Sequence, residues 1–238
     1  MIYQCYFAKE HEQYLFPLEP YRGFGLEPEV NSRLLENCPE LASPFIRKQL
    51  TEYACLLWHW RNNDGDSWFG TTSFRQLMKF SHVFQSRNQI SELVKDHGIV
   101  AWGQYRMVDE VGRPINLKEQ TEICHKGLND FMEECMIACG EEVPEDWSTK
   151  DTGFFANYWV MRRDLFESYM EYSWPIVKWA LENVKDSDFI KKQAIYGTVH
   201  PDKAVGYLME RLFLMWYLKE GITPYNPSVA QVLGHRRA

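Results

Sequence analysis

The 238-residue sequence predicts an α/β layer fold, a mainly parallel sheet flanked by helices, in one domain over residues 1–238. Three observations carry this. Short β-rich segments alternate with segments of helical periodicity, the pattern of a layered sheet. No repeat, low-complexity tract or linker divides the chain. A composition that is 45% hydrophobic and 15% aromatic supplies ample core for one large domain.

The elements follow in order. Ile2 to Phe7 reads as a short buried strand that enters a polar turn, Ala8 to Gln13. Residues 14–44 are rich in Pro, Gly and Glu, lack periodicity and read as a long ordered loop. Ser43-Pro44 is a cap followed by Pro at the first helical position. Ile46, Leu50, Tyr53, Ala54, Leu57 and Trp58 then share one helical face up to the stop at Asn62-Asn-Asp-Gly65. Trp68 to Phe74 is a second strand, followed by two short helices, the second ending near Gly98. Ile99 to Met107 is strand-like, and Asp109 to Pro114 is a turn. Asn116 with Glu119 forms a capping box that opens a helix to about Cys139. A polar loop over 140–153 leads to a strand, Phe154 to Met161. Asp164 with Glu167 opens a helix expected to kink or break at Pro175. The last strong helix covers about 202–219: Ala204, Leu208, Leu212, Met215 and Leu218 recur at helical spacing, and Gly221 marks its end.

Bulk properties narrow the function. A net charge of −7 argues against a general nucleic-acid binder, which needs a basic face. No run approaches the roughly 20 apolar residues of a membrane span, and Met1 to Phe7 lacks the basic region and cleavage site of a signal peptide. The six Cys show no paired metal spacing, so a reduced, cytoplasmic protein with free thiols is expected. No Gly-x-Ser-x-Gly or Cys/His signature marks a hydrolase.

Glu210 stands out because a carboxylate inside so apolar a helix needs a reason. Either it pairs with Arg211 or it does chemistry. Five segments bear on the choice. They are Tyr6-Phe-Ala-Lys9 through Tyr21–Gly25, Leu50–Asn62, Phe69–Arg75, Asn157–Phe166 and Gly206–Leu212. In this order they resemble the DUF4422 family of polysaccharide glycosyltransferases and, more broadly, glycosyltransferases of the GT-A type. Two departures are visible: Ala8 stands where that family has His before the Lys, and a His is replaced in the segment that retains Arg75.

The resemblance implies transfer of a hexosyl or deoxyhexosyl group from a nucleotide sugar to a glycan or polysaccharide acceptor. Residues 1–110 would form the nucleotide-sugar half and 111–238 the acceptor half. Glu210 corresponds to the acid that deprotonates the acceptor hydroxyl, with Arg211 orienting it. Asp151 is the competing base. Lys9, Arg22 and Arg75 are expected to neutralise the diphosphate, Asn157 to bind a sugar hydroxyl, and Phe7, Tyr53, Thr71 and Ser73 to line the substrate site. Many GT-A enzymes hold Mn2+ or Mg2+ with Asp-x-Asp at a strand end. Thr71-Thr-Ser73 occupies that place here, which puts metal dependence in doubt. Asp64 and Asp66 precede the strand, and His200 or His235 would be the metal-binding His. The competing reading is a non-catalytic GT-A-like module that binds glycan or a partner enzyme.

Overall fold

The computed structural model describes residues 1–62, 65–75, 85–154, 157–184, 189, 193–194, 197–198 and 203–227. Strand β1 (Ile2–Tyr6) is buried along its whole length, as a central strand covered on both faces must be. It pairs in parallel with β2 (Tyr21–Gly25) on one side and β3 (Trp68–Ser73) on the other. The other strands are β4 (Ile99–Ala101), β5 (Gln104–Arg106), β6 (Thr152–Phe154) and β7 (Trp159–Arg162), besides a two-residue pair at Gln193–Ala194 and Gly197–Thr198. The main sheet has the order β2-β1-β3-β7-β4. β7 runs antiparallel to both neighbours, so four strands point one way and one points back. β5 and β6 form a separate antiparallel pair.

Helices cover both faces, as an α/β fold requires. These are α1 (Pro44–Leu50), α2 (Tyr53–Asn62), α3 (Arg87–His97), α4 (Leu117–Cys124), α5 (Leu128–Ala138), α6 (Arg163–Asn183) and α7 (Ala204–Lys219). On one face, Cys5, Phe69, Trp159 and Met161 pack with α2, α6 and α7 into the larger core. There Phe69 stacks on Phe166 at 4.3 Å and Trp159 on Phe213 at 5.5 Å. On the other face, Ile2, Trp68, Val100 and Val160 meet Ile90 and Val94 of α3. Among the described residues, no helix is long and apolar enough to cross a membrane.

Several boundaries differ from the sequence reading, each for a local reason. The segment read as loop over 14–44 contains β2, whose glycines hide it. A Cβ on Gly23 would lie 2.6 Å from Leu15 Cδ1 and one on Gly25 2.7 Å from Val30 Cγ2, so packing demands residues that propensity disfavours. The helix read from Ser43 to Asn62 divides at Thr51, which has φ 46 and ψ −126. The helix read to Cys139 divides at Gly127 (φ 85), whose N–H donates to the Glu122 carboxylate at 3.0 Å. Gly103 (φ 74) likewise separates β4 from β5. Pro175 does not break α6, which runs through it for 21 residues. Trp174, Ile176 and Val177 are buried around it, and packing holds a helix that has lost one local hydrogen bond.

Candidate active site

In a sheet of this type ligands bind outside the carboxyl ends of the parallel strands. β1 and β3 are in register from Ile2↔Gly70 to Cys5↔Ser73, so Phe7 and Phe74-Arg75 leave the sheet at the same end. β7 opposes β3 with Thr71↔Trp159, which brings Asn157 and Tyr158 to that end as well. A cavity of about 650 Å³ opens there. Its walls come from Phe7 and His11, from Ser73 to Arg75, from Asn157 and Tyr158, from Lys48, Thr51 and Glu52, from Glu27, and from α7.

α7 contributes Gly206, Tyr207 and Glu210, with Lys203 just before it; the spacing of three, four and seven residues defines one helical face. The helix is seated by α1: Gln49 Oε1 accepts from Val205 N at 2.9 Å, satisfying an N-terminal donor that the N-cap residue Lys203 leaves without a side-chain partner. Gly206 faces α1, where a Cβ would meet Gln49 O at 3.5 Å, an ordinary van der Waals contact.

Glu210 and Arg211 form a pair of unequal burial. Arg211 Nη1 donates to Glu210 Oε2 at 2.8 Å, and the side chains are 2% and 38% exposed respectively. The buried charge of α7 is therefore the guanidinium, while the carboxylate reaches the cavity. α4 holds the guanidinium from behind: Nε donates to Thr121 Oγ1 at 3.3 Å and Nη2 to Gln120 Oε1 at 3.4 Å. Burial pulls the Arg211 pKa down and Glu210 opposes it. His125, at the end of α4, stacks on Tyr207 at 3.9 Å. Burial, then Arg211, lowers its pKa to about 4. Across the cavity Tyr158 and Ser73 share a hydroxyl hydrogen bond at 2.9 Å, and burial pushes the Tyr158 pKa up to about 12.

Of the residues singled out from sequence, Phe7, Ser73, Arg75, Asn157 and Glu210 meet at this cavity. Arg211 stands behind it. Tyr53 and Thr71 do not line it: the Tyr53 hydroxyl lies in the core, 2.7 Å from Ser173 Oγ, and Thr71 Oγ1 lies 3.8 Å from Cys5 Sγ inside the sheet. Lys9 is exposed on a 3₁₀ turn, Lys9–Tyr14. Arg22 lines a separate hollow of about 350 Å³ with Arg33 and Trp58. Asp151 lies outside the cavity and pairs with Arg106 at 3.2 Å. Asp66 is at the amino end of β3, against the Met1 nitrogen at 3.1 Å. Asp64, His200 and His235 lie outside the described residues.

The sequence reading did not single out His11, Lys48, Glu52 or Tyr207. Two left a signal. Tyr207 is one helical turn before Glu210. His11 is three residues after Ala8, and residues three apart eclipse in a 3₁₀ turn; His11 N donates to Ala8 O at 2.9 Å. The His11 ring stacks on Phe74 at 4.2 Å, and its Nδ1 accepts from Phe7 N at 3.4 Å.

The described walls do not make a metal site. The end of β3 presents hydroxyls, and no group of three or more His, Cys, Asp or Glu among the described residues is placed to hold an ion.

The fold has a counterpart among solved structures. The chain is similar to the WbbM bifunctional glycosyltransferase in its apo structure, with a TM-score of 0.54 and 14% identity, over 94% of this chain and 43% of that one. At that identity the likeness is one of fold, and the chain spans less than half of that protein. No curated protein matches. The chain belongs to the DUF4422 family, a domain of unknown function, whose model matches residues 47–221. That range includes the cavity residues from Lys48 to Glu210 and leaves out Phe7, His11 and Glu27.

Proposed function

We propose that the protein is a glycosyltransferase that moves a sugar from a nucleotide-sugar donor to a glycan or polysaccharide acceptor in the cavity at the carboxyl ends of β1 and β3. One observation carries the reading. Phe7, Ser73, Arg75, Asn157 and Glu210 come from four separate segments of the chain and line one cavity, in a fold shared with a glycosyltransferase. Transfer breaks the bond between the anomeric carbon and the diphosphate and makes one to an acceptor oxygen. The cations at the rim, Arg75, Lys48 and Lys203, suit the diphosphate that leaves. Glu210 is the base toward the acceptor hydroxyl. Arg211 holds the carboxylate through Oε2 as Glu210 takes the proton and the new bond forms.

The reading is tested by isothermal titration with UDP, GDP and dTDP and their hexose conjugates. Binding of at least one nucleotide that weakens when Arg75 becomes Ala supports it. Absence of heat with every member at millimolar concentration overturns the assignment of the donor site.

A further inference from the structure

Among the described residues, two acceptors in the cavity lack a donor or a cation. Asn157 is 8% exposed, and its Oδ1 is buried without a hydrogen-bond partner among the described residues. Leaving such an oxygen unpaired is costly, so a native structure retains it where something else supplies the donor. Glu52 is the second. It sits half-buried at the start of α2, beside the strained Thr51, and no cation among the described residues pairs with it. The other two carboxylates of the cavity are engaged, Glu27 by Arg47 at 2.8 Å and Glu210 by Arg211 at 2.8 Å. Glu52 lies close enough to Tyr158, the residue beside Asn157, for its charge to bear on that hydroxyl, as the charge of Glu210 also does.

A wall of unfilled acceptors selects a ligand rich in donors. Lys48, Arg75 and Lys203 line the cavity beside Glu27, Glu52 and Glu210, so the ligand need not be a cation. Neutral hydroxyls meet the requirement. A carboxylate takes two of them side by side, one on each oxygen, and an amide oxygen takes another. Resting on the reading above, we propose that Glu52 and Asn157 form the hydroxyl-recognising wall of the cavity, with Glu52 accepting from a vicinal pair of hydroxyls on a sugar ring. Glu52 is then a specificity residue: it touches the sugar and takes no part in bond making.

The test compares wild type, Glu52→Gln and Asn157→Ala by titration with UDP, GDP and dTDP, with their hexose conjugates, and with free hexoses and their deoxy analogues. Thermal melts accompany each variant. Among the described residues Glu52 has no cation and Asn157 Oδ1 no donor to lose, so both variants should melt near wild type; a large drop for Asn157→Ala would mark that amide as structural and overturn its place in the wall. A loss of tenfold or more in affinity for a nucleotide sugar, with the parent nucleotide unchanged, establishes the wall on the donor side. The same loss confined to free hexoses, and mimicked by the deoxy analogue on wild type, establishes it on the acceptor side. If wild type binds nucleotide sugars and Glu52→Gln binds every ligand equally well, the inference fails while the glycosyltransferase reading stands. If no nucleotide binds but a hexose binds through Glu52, the wall stands and that reading fails. If neither binds, both fall.

Discussion

Replacing Glu210 by Gln separates its two possible duties. Gln keeps an oxygen for Arg211 Nη1 and removes the charge and the basicity. The energetic cost is bounded by the geometry of the pair. Breaking a fully buried ion pair by removing one partner costs about 3–5 kcal/mol, whereas an exposed pair is worth about 0–1 kcal/mol. Here the guanidinium is 2% exposed and the carboxylate 38%, and Thr121 and Gln120 still face the guanidinium after the change. A cost of about 2 kcal/mol follows from that intermediate burial, or roughly 4–8 °C of melting temperature for a chain of this size. The predicted effect on turnover is far larger, about 10²-fold or more, the scale of a lost general base. Thermal melts and single-turnover transfer from the bound nucleotide sugar measure the two separately. A Gln variant that melts several degrees early yet keeps wild-type turnover in its folded fraction would refute the assignment of Glu210 as base.

Other expectations are narrower. Gly206→Ala should stabilise the protein by about 0.5–1 kcal/mol in urea unfolding, because α7 gains a better helix former and the nearest atom to the new Cβ is 3.5 Å away; destabilisation would show that the turn needs glycine. Thr51→Gly should also stabilise, by about 1 kcal/mol, since a β-branched residue at φ 46 stores strain that glycine relieves at a smaller entropic cost. His125 predicts a pH dependence. Its native pKa is lowered to about 4 from 6.5, first by burial and then by Arg211, so the unfolded chain binds a proton that the native imidazole refuses. Stability should therefore fall as the pH drops from 6.5 towards 4, and His125→Gln should flatten that slope; equal slopes in pH-dependent urea titrations would contradict it.

The parts of the fold legible in the sequence are those whose local chemistry and tertiary role agree. Ser43 accepts from Ile46 N, and Asn116 with Glu119 closes both halves of its capping box, so those helix starts were readable residue by residue. The illegible parts are those where tertiary packing overrules propensity. The glycines of β2 disguise a strand because Leu15 and Val30 leave no room for side chains. The pause at Thr51 interrupts an unbroken apolar face, and nothing in that face announces it. Pro175 errs in the other direction, since a helix buried along one side tolerates a proline that a solitary helix would not.

The site divides along the same line. A residue at a strand end can be found from sequence because the strand itself is visible: Phe7, Ser73 and Arg75 were reachable in this way, whereas Asn157, read inside a strand over 154–161, came from the family resemblance. Glu210 was reachable because a charge in an apolar helix is an anomaly, although the deeper anomaly is Arg211. Tyr53 and Thr71 misled for a related reason, since each belongs to a segment that borders the cavity but turns its side chain into the core. Glu52 had no such mark. It is one charged residue at the start of a helix, a place where acidic residues need no explanation. What distinguishes it is that Glu27 has Arg47 and Glu210 has Arg211, while Glu52 has no cation among the described residues. That difference exists only in three dimensions, and it makes Glu52→Gln the variant whose ligand dependence sequence reasoning could not have anticipated.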